Sequence, residues 1–382
     1  MLPRERVLAA LSRQVPDRVP KHIDFNTQFR LHFRSLDPAE RFGLEVRRIE
    51  SGSTREQEGF ERYLESLPQH LRVGDRKTLA NYWQWGYDPV ATAARHASGE
   101  YDLLQLHDYN PLAAARTIQD LQRYRFPAVA TDVRFGELKR QVAALHRRGL
   151  AVLGDPPHLG GVIFETAQRL RGYYNLLLDF SLNKEFAHYL LDQITAMCAH
   201  NCALLARAGA DIIVLGDDVG EPTKMLISPQ MWREFLKPRL ARIIAAIREE
   251  KPETIIMYHS DGYIKPIIPE LIEIGVDVLE PVQPDVMDPA KLKATYGDRL
   301  AFWGTVGVQT TWSEAVATVA IRQEVRERLA TVGQGGGLLI APAYDVEPDV
   351  PWQNILAFLQ AVEEYGTQMN ADERRKNIKN LR

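Results

Sequence analysis

Histidine and carboxylate side chains follow two short apolar stretches in the second half of the chain. His259 and Asp261 come directly after residues 254–258, and Glu280 follows residues 276–279. Side chains two residues apart on an extended backbone point to the same side, so His259 and Asp261 are expected to lie together. An imidazole nitrogen with carboxylate oxygens suits a divalent ion. The alternative is a general acid and base, because crowded carboxylates raise one another's pKa values.

A strand, helix and strand would position these groups. The sequence predicts strands at residues 254–258 and 276–279 and a helix at about 264–274, which Gly275 ends. Two strands joined through a helix form a parallel pair, so both polar loops lie at one end of the sheet. That end is where α/β proteins bind their ligands.

Five further strands are predicted from the same alternation of apolar runs with helical stretches. They are residues 19–25, 150–154, 211–215, 300–303 and 338–341. Parallel strands would gather the polar residues that follow them, together with Gln283, into one acidic rim: Asp155, His158, Asp217, Asp218, Thr305, Tyr344 and Asp345. Two of the aspartates have a competing interpretation. Asp261 would cap the next helix, and Asp155 would only orient the turn at residues 156–157.

The strand candidates indicate an α/β fold in a single domain, residues 1–382. A distorted (β/α)8 (TIM) barrel with one strand missed explains the pattern better than an open doubly wound sheet. Residues 28–130 lack the alternation and contain an aromatic cluster at residues 82–85. We therefore expect an elaborated N-terminal insertion that covers the site as a lid.

Capping residues and a proline mark several helix boundaries. A helix at residues 184–208 has Asn183 in the N-cap position and Gly209 just past its end. Ser228 is expected to cap another helix, which Pro238 should break or kink.

Composition and charge exclude several classes of partner. The chain has 382 residues, a net charge of −3 and a pI near 6.4, so it lacks the basic surface that binds nucleic acid or an anionic membrane. No stretch reaches the roughly 18 apolar residues of a membrane span, and charges interrupt the apolar residues of the N-terminus. We expect a soluble, cytoplasmic protein that acts on a small molecule.

The chain has two cysteines, Cys198 and Cys202, four residues apart on a helical stretch. This spacing is compatible with a metal or redox pair. Their neighbours are mainly alanine and methionine, which favours the interpretation that both are small buried hydrophobic residues. No GxGxxG motif follows a strand, and no GxxxxGK or HExxH motif is present.

Several stretches resemble the uroporphyrinogen decarboxylase superfamily, which includes heme-pathway decarboxylases and cobalamin-dependent methyltransferases. The stretches are AGADIIVLGDDVG, ISPQMWREFLKPRL, YHSDGYIKPIIPELIEIGVDVLEPVQP, LKATYGDRLAFWGTVG and APAYDVEPDVPWQNILAFLQAVEEYG. The resemblance implies a distorted (β/α)8 barrel with its site at the carboxyl ends of the strands. It also implies a homodimer.

The heme-pathway decarboxylases of this superfamily carry an arginine-rich RQAGRY-like segment near the N-terminus that holds substrate carboxylates. The corresponding residues 21–25 read KHIDF here. A tetrapyrrole with eight carboxylates would meet an acidic rim unless Arg30 or Arg34 offset it. The resemblance therefore favours the methyltransferase branch.

Methyltransferases of the superfamily bind zinc through a His-x-Cys pair and a second cysteine near the last strand. His259 matches that histidine, Asp261 stands where the first cysteine would be, and residues 342–345 contain no cysteine. A histidine with carboxylates favours harder or borderline ions and oxygen donors over thiolate activation.

From these residues and the resemblance we expect methyl transfer from an oxygen or nitrogen centre of a small organic substrate. Zinc or another divalent metal is the expected cofactor, and a corrinoid protein is the expected partner and methyl acceptor. Catalysis is assigned to His259, Asp218 and Tyr344, and metal binding to His259, Asp261 and Glu280. Substrate binding is assigned to Asp217, His158, Gln283 and Asp345. The alternatives are a decarboxylase, in which Asp218 or His259 handles the proton that replaces carbon dioxide, and a non-catalytic binding protein.

Overall fold

A computed structural model describes residues 1–25, 29, 33, 37–50, 55–66, 76–87, 109–127, 132–307, 312 and 317–380. Its centre is a sheet of seven parallel strands in sequential order. The strands are β1 (Val46–Glu50), β2 (Ala151–Asp155), β3 (Ile212–Gly216), β4 (Ile255–His259), β5 (Val278–Glu280), β6 (Ala301–Trp303) and β7 (Leu338–Leu339). Parallel neighbours in chain order, joined through helices, form a TIM-like α/β fold.

Fifteen α-helices lie in the part of the chain that the structure describes. They are α1 (Pro3–Leu11), α2 (Pro38–Arg41), α3 (Arg55–Ser66), α4 (Arg76–Gln84), α5 (Ile118–Arg123), α6 (Asp132–Arg147), α7 (Phe164–Arg171), α8 (Tyr173–Leu182), α9 (Lys184–Ala208), α10 (Pro229–Phe235), α11 (Lys237–Glu250), α12 (Ile268–Glu273), α13 (Pro289–Tyr296), α14 (Thr318–Thr331) and α15 (Trp352–Asn380). A 3₁₀ turn, Lys265–Ile267, precedes α12. None of the described helices is long and apolar enough to cross a membrane.

The two faces of the sheet bury different sets of side chains. The outer face packs against the helices through residues such as Ile213, Ile256 and Phe302. The inner face forms a second apolar cluster, which includes Met257 and Trp303. Because side chains alternate along a strand, every second residue faces inward. The last inward residue of each strand therefore lies at the rim.

Helix α1 covers the inner cluster from the amino ends of the strands. Val7 and Leu11 of α1 belong to that cluster. The backbone N–H of Gly337, just before β7, donates to the carbonyl of Ala10 at 2.9 Å. The opposite end, at the carboxyl ends of the strands, is left for a site.

Most of the predicted helix boundaries are confirmed. Gly209 ends α9 with a φ of 107°, and the Ser228 side chain accepts a hydrogen bond from the Met231 backbone at the start of α10. The break before Pro238 lies at Leu236, between α10 and α11. Asn183 occupies the N-cap position of α9, but its side chain makes no capping hydrogen bond.

Two predictions about strands need correction. Residues 19–25 form two isolated parallel bridges, Lys21 to Ile340 and Phe25 to Val346, and no regular strand. The strand that sequence reasoning missed is β1, inside the region expected to be an irregular insertion. Its sequence, VRRIE, has charged residues at three of five positions, so it lacks the apolar signature of a buried strand. The rest of the predicted insertion, residues 28–130, lies partly outside the described residues.

Candidate functional site

A cavity of about 600 Å³ opens at the carboxyl ends of the strands. Its volume lies within the range of small-molecule sites. Eight of the described lining residues are carboxylates: Asp24, Glu50, Asp155, Glu165, Asp218, Asp261, Glu280 and Asp345. Arg48, His158 and His259 are the basic side chains among the described lining residues. The cavity is therefore strongly acidic.

The register of the sheet brings a histidine and two aspartates together in this cavity. Asp218, His259 and Asp261 each offer a ligand atom, and these atoms all lie within 4.8 Å of one another. His259 is the last residue of β4 and shares the inner face with Met257, so its ring points into the cavity. Asp218 follows β3, which pairs with β4. One imidazole nitrogen and two carboxylates form a set suited to a divalent ion.

Glu280 holds the other nitrogen of His259. The two residues are direct partners in the β4–β5 register, and Nδ1 lies 2.6 Å from Glu280 Oε2. The second ring nitrogen, His259 Nε2, lies 3.5 Å from Asp218 Oδ1. Burial alone would lower the pKa of His259, but Glu280 and Asp218 outweigh it and raise the pKa to about 10. Glu280 was predicted to be a metal ligand, whereas its geometry suits the orientation of the histidine.

Asp261 is positioned by the loop after β5. Gln283 Nε2 donates to Asp261 Oδ1 at 3.1 Å, and Gln283 Oε1 accepts from the Gly262 backbone at 2.8 Å. The Asp261 backbone N–H donates to Asp218 Oδ1 at 2.8 Å. Burial raises the pKa of Asp261 to about 7, with Asp218 adding to the rise and His259 opposing it. The interpretation of Asp261 as a helix cap is wrong. The N-cap position of the next turn, Lys265–Ile267, is occupied by Ile264, and no side chain among the described residues caps that turn.

The neighbour of Asp218 has a different place. Asp217 is fully buried, and its carboxylate accepts backbone hydrogen bonds from Ile163 and Glu165 at 3.0 to 3.2 Å. It therefore anchors the start of α7 and lies behind the cavity wall. Burial, aided by Glu165, raises its pKa to about 7. Asp217 was predicted to bind substrate, but it is not among the described residues that line the cavity.

Glu165 is a site residue that sequence reasoning missed. It lies in the first turn of α7, lines the cavity, and its Oε2 accepts from the Asp218 backbone at 3.1 Å. Burial and the nearby charge of Asp218 raise its pKa. Its position follows from the anchoring of α7 by Asp217, so no local signal in the sequence identified it.

A second basic group faces the cavity beside Asp155. His158 Nε2 lies 3.3 Å from Asp155 Oδ1, and Arg48 Nη1 donates to Asp155 Oδ2 at 3.0 Å. Burial would raise the pKa of Asp155, but His158 and Arg48 outweigh it and lower the pKa. Asp155 therefore does more than orient a turn. Arg48 lies on β1, the strand missing from the sequence prediction.

Tyr344 and Asp345 follow β7 and line the cavity, as the rim prediction required. Tyr344 is 52% exposed, and burial together with Asp261 raises its pKa. Tyr344, with Asp261 and Gln283, also lines a smaller crevice of about 310 Å³.

The two cysteines lie away from the cavity. Cys198 and Cys202 are buried in α9, with their sulfur atoms 3.8 Å apart.

Replacing Glu280 by glutamine is expected to lower the pKa of His259 from about 10 towards its usual 6.5, because the largest stabilising charge is removed. NMR titration of the imidazole in metal-free protein measures the change. Glu273→Gln, at an exposed glutamate paired with Lys237, is the matched control. An unchanged His259 titration in Glu280→Gln would show that Glu280 does not act on the ring.

The comparisons with known proteins agree with this architecture. A solved methyltransferase from Methanosarcina mazei matches with a TM-score of 0.58 over 96% of this chain and 99% of that chain, at 20% sequence identity. At this identity the match shows the fold.

Two groups of enzymes are similar in sequence. The methylcobamide:CoM methyltransferase MtaA of Methanosarcina barkeri is 26% identical over 255 residues, which are 64% of this chain and 66% of the relative. A uroporphyrinogen decarboxylase of Coxiella burnetii is 24% identical over 261 residues, 65% of this chain and 68% of the relative. The matches thus span 66% and 68% of the length of these relatives.

Residues 113–365 match the profile of the family described as "Uroporphyrinogen decarboxylase (URO-D)". That stretch contains β2 to β7 and the Asp218, His259 and Asp261 cluster. The chain belongs to the uroporphyrinogen decarboxylase (URO-D) family.

Proposed function

We propose that this chain is an enzyme that transfers a methyl group from an oxygen or nitrogen centre of a small organic substrate, with a corrinoid as the acceptor. The observation that carries the proposal is the Asp218, His259 and Asp261 cluster inside an acidic cavity of about 600 Å³. The similarity to MtaA supports a corrinoid as a methyl carrier, and the name methylcobamide:CoM methyltransferase makes the corrinoid the methyl donor in that relative.

The donor set of the cluster fits a divalent metal ion. His259 Nε2 and one oxygen each of Asp218 and Asp261 would hold it, and Glu280 would orient the histidine through Nδ1. Such a set suits zinc, iron, manganese or nickel better than soft ions. When bound, the metal supplies Lewis acidity at the substrate heteroatom.

The residues of this chain then meet a defined chemical need. In methyl transfer the substrate heteroatom keeps the electron pair of the broken carbon bond, so its developing charge must be stabilised. The two carboxylates alone would repel that charge, so the stabilisation would come from a metal held by Asp218, His259 and Asp261 at this point of the wall. Tyr344 lines the cavity, and its raised pKa keeps the phenol protonated, so it would donate a hydrogen bond to the substrate.

The charge of the cavity opposes uroporphyrinogen as the substrate. Eight carboxylates among the described lining residues face one arginine and two histidines. A substrate with eight carboxylates of its own would be repelled at this wall. Decarboxylation of a smaller acid is the second candidate. It is favoured by the raised pKa of His259, about 10 in metal-free protein, which makes the ring a proton donor.

Metal analysis and a methyl-donor screen test the proposal. We expect about one divalent ion per chain in gently purified protein, and corrinoid-dependent loss of a methyl group from one class of methoxy or methylamine compounds. Absence of both would refute methyl transfer. Release of carbon dioxide without a corrinoid would instead establish the second candidate.

Metal affinity should rise steeply with pH. A bound metal needs neutral His259 and ionised Asp261, whose pKa values in metal-free protein are about 10 and about 7. Both values are raised, so protons compete with the metal throughout the neutral range. From about pH 6 to about pH 8 we expect an increase in affinity of at least about 100-fold, with proton release. Calorimetry in buffers of different ionisation enthalpy measures it, and a pH-independent affinity would contradict the cluster as the site.

Three structural features belong to the same proposal. The segment at residues 19–25, bridged to Ile340 and Val346 in the chain that follows β7, would provide the eighth position of a (β/α)8 barrel. The region 28–130 would cover the cavity within one domain, which is supported by the hydrogen bond from Asn81 Nδ2 of α4 to the His158 carbonyl at 3.0 Å. A homodimer and a corrinoid protein are the proposed partners.

A further inference from the structure

Arg48 brings a guanidinium group into the acidic cavity. It lies two residues beyond Val46 on β1, and Val46 packs in the inner cluster of the sheet. Residues two apart on a strand share a face, so Arg48 points towards the cavity that it lines. Its side chain is 46% exposed. The strand therefore presents a positive charge to any molecule that occupies the cavity.

The hydrogen bonding of Arg48 leaves donors for a ligand. Nη1 donates to Asp155 Oδ2 at 3.0 Å, and Asp155 is the only hydrogen-bond partner of Arg48 among the described residues. A guanidinium carries five N–H donors in a planar fork that matches the two oxygens of a carboxylate. Most of that fork remains for a ligand or for water.

Asp155 does not neutralise both of the basic side chains beside it, Arg48 and His158. His158 Nε2 lies 3.3 Å from Asp155 Oδ1, so two basic side chains share one buried carboxylate. When His158 is protonated, the two basic side chains carry one positive charge more than Asp155 balances, and carboxylates elsewhere on the wall offset part of it. Burial would lower the pKa of His158, but Asp155 outweighs burial and raises it. His158 Nδ1 is buried and has no hydrogen-bond partner in the described ranges.

We propose that Arg48, supported by His158, binds a single carboxylate of the methyl donor, so that the substrate is a small monocarboxylate whose methyl-bearing atom reaches the Asp218, His259 and Asp261 cluster. A second or third negative charge on the substrate would face the carboxylates of the remaining wall, where His259 is already paired with Glu280 and Asp218. The position of the methyl group rests on the proposed function, whereas the carboxylate subsite can be tested alone.

Calorimetric titration of full-length protein with matched probes tests the subsite. Benzoate and benzamide have similar shapes and differ in charge, and phthalate adds a second carboxylate. An aromatic ring suits the cavity because Phe25 and Trp303 line it. The variants are Arg48→Gln and Arg48→Lys. Arg299→Gln, at a half-exposed arginine before the amino end of β6, is the control.

We expect wild-type protein to bind benzoate at least about tenfold more tightly than benzamide, and phthalate more weakly than benzoate. Arg48→Gln should bring the benzoate to benzamide ratio within about twofold of one, and Arg48→Lys should restore part of it. Arg299→Gln should leave the ratio unchanged. Thermal unfolding checks each variant, and Arg48→Lys keeps the charge beside Asp155 if Arg48→Gln folds poorly.

Three results would overturn the proposal. They are a preference for benzoate that survives in Arg48→Gln, tight binding of phthalate, and no saturable binding of benzoate below about 10 mM. The first would place the anion elsewhere, such as at protonated His259. Titrations of metal-free protein need neither metal nor methyl acceptor, so failure of the proposed methyl transfer is seen separately in the metal analysis and the donor screen.

Discussion

Replacing His259 by alanine is expected to abolish stoichiometric metal binding and to lower turnover at least about 1,000-fold. His259 is the nitrogen donor of the cluster, and its ring is fixed by Glu280 at 2.6 Å. Without it, Asp218 and Asp261 retain two carboxylates that lack the donor most selective for a borderline ion. Metal analysis of the purified variant and the initial rate with the identified methyl donor measure both losses.

The fold of the variant should be unaffected, because the ring lies at the cavity wall with 38% of its side chain exposed. Circular dichroism and thermal unfolding check this point. His200→Ala, at an exposed position of α9, is the matched control and should bind metal and turn over as wild-type protein does. Full metal occupancy in His259→Ala would refute the cluster as the metal site, and full activity without metal would refute the metal mechanism.

The residues on β4 and β5 show which parts of a site can be predicted from sequence. His259, Asp261 and Glu280 were grouped because they follow strands of one predicted βαβ unit, and parallel pairing fixes which end of the sheet they share. The inward direction of His259 also follows from alternation along β4. Long apolar runs and a regular period make such elements predictable.

Other roles depend on tertiary contacts that leave no local pattern. Asp217 and Asp218 are adjacent and chemically alike, yet one is buried under α7 and the other faces the cavity. Alternation along the chain separates their directions, but only the packing of α7 decides which direction is the site. Arg48 was missed because a strand that carries charges on its cavity side resembles a polar loop. The family resemblance gave the fold class despite these gaps.

Replacing Asp217 by alanine is expected to destabilise the fold by about 2 to 4 kcal/mol. The carboxylate is fully buried and accepts backbone N–H groups of Ile163 and Glu165 at the start of α7. Alanine would leave these donors buried without a partner and would open a small void. Equilibrium unfolding in urea, followed by circular dichroism, measures the loss. Asp217→Asn should lose less, because its amide oxygen still accepts a hydrogen bond.

The same variants separate a structural role of Asp217 from the substrate-binding role that its position in the sequence suggested. Asp298→Asn, at an exposed aspartate, is the control for loss of one negative charge and should unfold as wild-type protein does. If Asp217 only anchors α7, folded Asp217→Asn protein should bind metal with an affinity within about threefold of wild type, since Asp217 is not a ligand of the cluster. Unchanged stability of Asp217→Ala combined with lost substrate binding would restore the substrate role. The distinction matters for the cavity as a whole, because α7 carries Glu165, which in turn holds the backbone of Asp218 at 3.1 Å.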